Sequence, residues 1–314
     1  MKNWLKHGFS LVIFLGVALA GFKYLDFDLM LQAWREFSWK ALGALWLFPA
    51  IYLWVKAWRF QLLMSSADPE LRPGTILRGY AASQSASLLP AGFAARSAIL
   101  AQAGVPMERS MGPVLANSAL DQFALLIGGL FVGIWYQQVR PAALTLTGIL
   151  IVLVALFVWE PSREAIGRWV QQVGERFGQG DKVKEFQQAC WSLLDAKLFL
   201  STFALTVVAD LMSYAILVVV VAAMGLQVKF GALAAAFLIP TLLGRMSPLP
   251  AGAGVTEAGM VAIMAKGAGM TLDQAAAATT LMRAIDVVLP ALYGALVYLG
   301  SWRGHLRTAS EASA

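Results

Sequence analysis

Seven ionisable side chains fall inside stretches of this chain that are otherwise apolar enough for lipid: Arg96, Asp121, Asp210, Arg245, Glu257, Arg283 and Asp286. Each costs about 2.5–3.5 kcal/mol at the centre of a membrane helix, so a chain that keeps them must pair, hydrate or use them. A guanidinium offers a planar, permanently charged fork that matches a phosphate bidentately. Arg96, Arg245 and Arg283 are therefore the candidate grip for an anionic headgroup. Glu257, Asp121 and Asp286 are candidates to pair with them or to relay a proton. Glu257 falls one turn into an expected half-helix, where a desolvated carboxylate suits proton carriage. Arg283 and Asp286 are three apart and are placed to pair with each other. Nothing around Asp210 repeats, and a structural role suits it best.

These charges cluster around a repeated signal. Ser87-Leu-Leu-Pro-Ala-Gly92 recurs, with one change, as Ser247-Pro-Leu-Pro-Ala-Gly252. Pro removes a backbone donor and Gly tolerates positive φ, so Pro90, Gly92, Pro250, Gly252 and Gly254 mark two helix breaks. About 30 residues beyond each break lies an apolar segment with a buried acid, Asp121 in one and Asp286 in the other. Paired interruptions in corresponding positions of two halves point to a translocation path. The half-helix starts near Phe93 and Val255 add backbone N–H groups and a positive dipole end, which favour an anion.

The elements that position these groups follow from composition. The chain is 59% hydrophobic and 13% charged, with a mean hydropathy of +0.67, values that belong to an integral membrane protein. Six stretches are long enough to span: 8–25, 41–63, 112–136, 141–159, 198–225 and 272–301. Two more, 74–103 and 231–268, contain the breaks and read as re-entrant hairpins, tolerated at membrane depth where protein or a water-filled cavity surrounds them. Thr271-Leu-Asp-Gln274 is a capping box that starts the last span. The expectation is an all-α polytopic membrane protein with about six transmembrane helices and two opposed re-entrant helical hairpins in an inverted repeat. Its parts are a first membrane repeat at 1–159, a cytoplasmic amphipathic linker at 160–197, a second membrane repeat at 198–302 and a disordered tail at 303–314.

With both termini cytoplasmic, fifteen Lys/Arg, Lys56 and Arg59 among them, fall on the inside. Five fall outside: Lys23, Arg35, Lys40, Arg140 and Lys229. That bias satisfies the positive-inside rule and suits a bacterial cytoplasmic membrane. The same distribution accounts for the net charge of +6 without nucleic acid as a partner. The single Cys190 excludes an internal disulfide, and no metal-ligand cluster, phosphate loop or Gly-x-Ser-x-Gly nucleophile motif is present, so neither cofactor nor metal is expected. Gly129-x-x-x-Gly133 allows close helix approach, and tryptophans concentrate at span ends as an interfacial belt.

Ser247-Pro-Leu-Pro-Ala-Gly-Ala-Gly-Val-Thr-Glu257, followed by Leu281-Met-Arg-Ala-Ile-Asp286 with Pro290 and Gly294, resembles the transmembrane, flippase-like region of lysylphosphatidylglycerol synthases and their stand-alone relatives. The resemblance is specific at Pro250 to Glu257 and at Arg283. The first hairpin departs from the pattern, with Ala94-Ala95 where an acid is expected and Ser118 where relatives tend to have Arg. In that family this region is taken to translocate lipids, and aminoacyl transfer belongs to a separate soluble domain. The resemblance therefore implies transport of a phospholipid or other phosphate-bearing lipid, without enzymatic activity. The alternatives are a proton-coupled carrier of a small anion and an intramembrane lipid-modifying enzyme.

Overall fold

The computed structural model describes residues 38–86, 92–136, 159–176, 195–247 and 249–302, with isolated positions between them. All regular structure among them is helical. The chain forms α1 (Leu42–Ala67), α2 (Pro73–Ser83), α3 (Gly92–Gln102), α4 (Met107–Trp135), α5 (Glu160–Arg176), α6 (Ala196–Ala223), α7 (Phe230–Met246), α8 (Val255–Ile263), α9 (Leu272–Arg283) and α10 (Leu289–Val297). A π-helical segment, Ala284–Val288, joins α9 to α10, and a second, Tyr298–Trp302, continues them into one 31-residue helix. Among the described residues, three helices are long and apolar enough to cross a membrane: Met107–Trp135, Ala196–Ala223 and Leu272–Trp302.

Three of the expected spans coincide with these helices, though α4 begins at Met107, before the expected 112. The stretch 41–63 lies within α1 and its preceding turn. Spans 8–25 and 141–159, the break at Pro90 and the tail at 303–314 lie outside the described residues, apart from isolated positions in 141–159. Thr271 caps α9 as expected: Gln274 N–H donates to Thr271 Oγ1, and Thr271 N–H donates to Gln274 Oε1.

The stretch 231–268 is two helices folded back on one another. Helix α7 ends at Met246, and α8 restarts at Val255. Their contact is built from missing side chains. A Cβ on Gly259 would meet Pro240 Cβ at 2.8 Å, and one on Gly244 would collide with the Oγ1 of Thr256. Gly252, at φ 68°, lets the connecting loop lie directly on Gly244, whose Cα would be 2.7 Å from an added Cβ. Helices α2 and α3 also pack together, with Gly79 against Leu100.

Each helix pair also meets the long helix that follows the other pair. Gly128 and Gly129 of α4 receive Leu238 and Ile239 of α7. Gly294 of α10 presses on Ala81 O, Ser85 N and Gln84 Cβ. The tight contact falls at Gly128, one residue before the motif, while Gly129 meets Ile239 at ordinary packing distance and Gly133 lines a shallow apolar groove with Leu130, Ile134, Arg140 and Leu144.

Overpacking a closed contact costs about 1–3 kcal/mol, and a side chain at positive φ adds to it. Gly252→Ala should therefore lower the melting temperature in detergent. Gly43→Ala, which meets nothing within 4 Å, should leave it unchanged or raised. Equal melting temperatures for the two would contradict the close backbone approach.

Candidate functional site

Ser247-Pro-Leu-Pro cannot continue α7, because two prolines in three residues withdraw helix donors. The chain turns through Ala251 (φ 51°), Gly252 (φ 68°) and Gly254 (φ 86°) before α8 begins. Glu257 then reaches back as a capping side chain, its Oε2 accepting from Gly254 N at 2.6 Å. Its other oxygen, Oε1, accepts from Arg283 Nε at 2.6 Å. Arg283 Nη2 donates to the carbonyl of Ala251, also at 2.6 Å. One arginine thus ties α9 to both the tip of the loop and the first turn of α8.

Two expectations change here. The start of α8 is partly occupied by the protein's own carboxylate, so it is not an open anion site. Arg283 pairs across helices with Glu257, whereas Asp286, inside the π-helical segment that follows it, accepts from Ser213 Oγ at 2.6 Å. The extra residue in a π turn rotates Asp286 away from the face that an i, i+3 pair would share.

A second cluster surrounds Asp121. Arg59, fully buried, donates Nη1 to Asp121 Oδ1 at 2.6 Å and to Thr206 Oγ1 at 2.7 Å. Its Nε and Nη2 both reach Asn117 Oδ1, at 3.1 and 2.7 Å. Lys56 Nζ stands 3.5 Å and Arg245 Nη1 3.6 Å from Asp121 Oδ2. Three cations from α1 and α7 converge on one acid of α4. Asp210, buried on α6, and the hydroxyl of Tyr52 lie within electrostatic range of the same cluster.

Lys56 and Arg59 correct the sequence reading, which counted them as cytoplasmic flanking cations. Arg59 lies two turns inside the end of α1, because the helix continues to Ala67. The available signal was their three-residue spacing within an apolar stretch, with Tyr52 one turn earlier on the same face. Arg96 belongs to neither cluster. Its Nε donates to Ser83 Oγ at 3.2 Å, and its guanidinium lies 4.5 Å from the Tyr80 ring centroid and 5.4 Å from that of Phe60. Arg96, Arg245 and Arg283 therefore hold three different partners and do not form one common grip. Among the described residues no group of His, Cys, Asp and Glu is arranged to hold a metal ion.

The polar loop with its arginine, the two folded-back helix pairs and the interhelical charge cluster occur together in one apolar chain. A family model described as the lysylphosphatidylglycerol synthase TM region matches residues 7–294. The chain belongs to this family. The match includes the hairpin loop, Arg283 and the whole Asp121 cluster, so both sites lie within the family's own region. A search of curated proteins returned no match. Family membership and the apolar helices make this a membrane protein with a lipid-related role.

Proposed function

We propose that this protein is a lipid translocase that moves an anionic or phosphate-bearing lipid across a bacterial cytoplasmic membrane, with both termini cytoplasmic and no enzymatic step. The observation that carries this reading is the Arg283–Glu257 pair at the hairpin tip. Its side chains are 16% and 32% exposed, so a headgroup can reach them, unlike Arg59 at 0%. A lipid phosphate has the charge and geometry to replace Glu257 on Arg283, and the released carboxylate keeps its hydrogen bond from Gly254 N. Arg245, 27% exposed in the last turn of α7, offers a second cation near the same loop. Acyl chains would remain in the bilayer while the headgroup passes between the hairpins.

Several observations support two related, opposed halves. Gly129 follows Asp121 by eight residues (129 − 121), and Gly294 follows Asp286 by eight (294 − 286). Each glycine meets the first helix of the other half's pair. Such reciprocal packing is what a two-fold repeat produces, and repeat interfaces are where transporters of this kind hold substrate. Removing Lys56 and Arg59 from the inside count leaves thirteen (15 − 2) against five, and the orientation keeps its support.

The test is transfer of a fluorescent anionic phospholipid between leaflets of protein-containing liposomes, read by dithionite quenching. The proposal expects faster loss of inner-leaflet label than in protein-free vesicles. Equal rates, or uptake of inorganic phosphate without lipid transfer, would overturn it, the latter in favour of a small-anion carrier.

A further inference from the structure

Asp210 is buried midway along α6, and among the described residues neither of its carboxylate oxygens has a hydrogen-bond partner. Such orphaned atoms are few in native proteins. An ionised carboxylate there has given up water and gained no hydrogen bonds in exchange.

The charged groups around it are identifiable. Lys56, Arg59 and the Tyr52 hydroxyl approach from α1, Asp121 from α4, and Arg245 from α7; Asp286, after α9, shares Tyr52 and Arg245 as neighbours. Arg283 on α9 turns instead to Glu257. Lys56 and Arg59 are engaged by Asp121, and Arg245 Nη1 lies 3.6 Å from it, beyond hydrogen-bond length and without another partner. Arg245 is thus a cation held loosely by Asp121 and within electrostatic reach of Asp210.

Spacing sharpens the point. Lys56 and Arg59 stand three apart on the helix before the first pair, and Asp210 and Ser213 stand three apart on the helix before the second. Arg59 reaches Asp121, and Ser213 reaches Asp286. Where the first half supplies the cation Lys56, the second supplies another acid.

We propose that Asp210 is a proton-binding site: it holds a proton while Arg245 stays with Asp121, and releases it to water when Arg245 crosses to the resulting carboxylate. The proton replaces the missing cation in the second half. Because Arg245 precedes Ser247 by two residues, its crossing moves the end of α7 and with it the loop that Arg283 holds.

The experiment is infrared difference spectroscopy of the full-length protein in lipid, titrated with acid and base and read at the protonated-carboxyl stretch. A titrating band is expected in the unmodified protein, absent in Asp210→Asn and retained in Glu257→Gln. No titrating band in the unmodified protein, or an undiminished band in Asp210→Asn, would overturn the proposal. If Asp210→Asn fails to fold, Asp210→Glu decides: the band must shift in frequency, and an unshifted band overturns the assignment. This readout requires no lipid movement, so it stands apart from the translocation test.

Discussion

Replacing Arg59 by Ala should destabilise the protein by about 3–5 kcal/mol, the cost of removing one partner from a buried ion pair. The loss is large because this guanidinium serves Asp121, Asn117 and Thr206 together, and α1, α4 and α6 meet there. Lys56 and Arg245 remain near Asp121 but at 3.5 and 3.6 Å, neither in the short contact that Arg59 makes. Asn117 Oδ1 would lose both of its donors. Arg59→Lys keeps the charge and loses the fork, so it should fall between the two. Arg59→Met combined with Asp121→Asn should recover little of the loss, since Lys56 and Arg245 would then be left without their acid. Thermal unfolding in detergent, followed by tryptophan fluorescence, measures all four proteins. An Arg59→Ala variant that melts with the unmodified protein would show that the cluster does not hold these helices together.

Replacing Arg283 by Ala should slow lipid transfer by tenfold or more in the dithionite assay. A charge-assisted hydrogen bond to phosphate contributes about 1.5–3 kcal/mol, and each 1.4 kcal/mol is a decade in rate. Because Arg283 also holds Glu257 and Ala251, Arg283→Lys separates the roles: it keeps a cation for phosphate and gives up the two-directional grip. A transfer rate unchanged in folded Arg283→Ala would confine this residue to bracing the loop.

The second helix break was legible because its cause is local: two prolines and two glycines in eight residues leave the backbone little alternative. The capping box at Thr271 was legible for the same reason. The Arg283–Glu257 pair was half-visible. Both residues stood out as charges in apolar stretches, but the choice of Glu257 over Asp286 depends on a π turn that no spacing rule anticipates. Lys56 and Arg59 were misread because a cation near the end of an apolar run resembles a flanking anchor. What distinguishes them is how far α1 continues beyond the apolar run, and that is set by tertiary packing of Phe60, Leu63 and Met64. The convergence of Arg245 on Asp121 is a contact across more than a hundred residues, which local pattern cannot supply.

Ala251 gives the hairpin loop a property that its hydrogen bonds alone do not. It adopts a left-handed backbone conformation, which disfavours any residue with a Cβ by about 1–2 kcal/mol. Arg283, bonded to its carbonyl, helps hold it there. The resting loop is therefore a cocked latch, with free energy stored in one peptide and released when the arginine lets go. A ligand that draws Arg283 away gains from that release, to the extent of roughly five- to thirtyfold in its binding equilibrium. Ala251→Gly would unload the latch while leaving every side chain in the site unchanged.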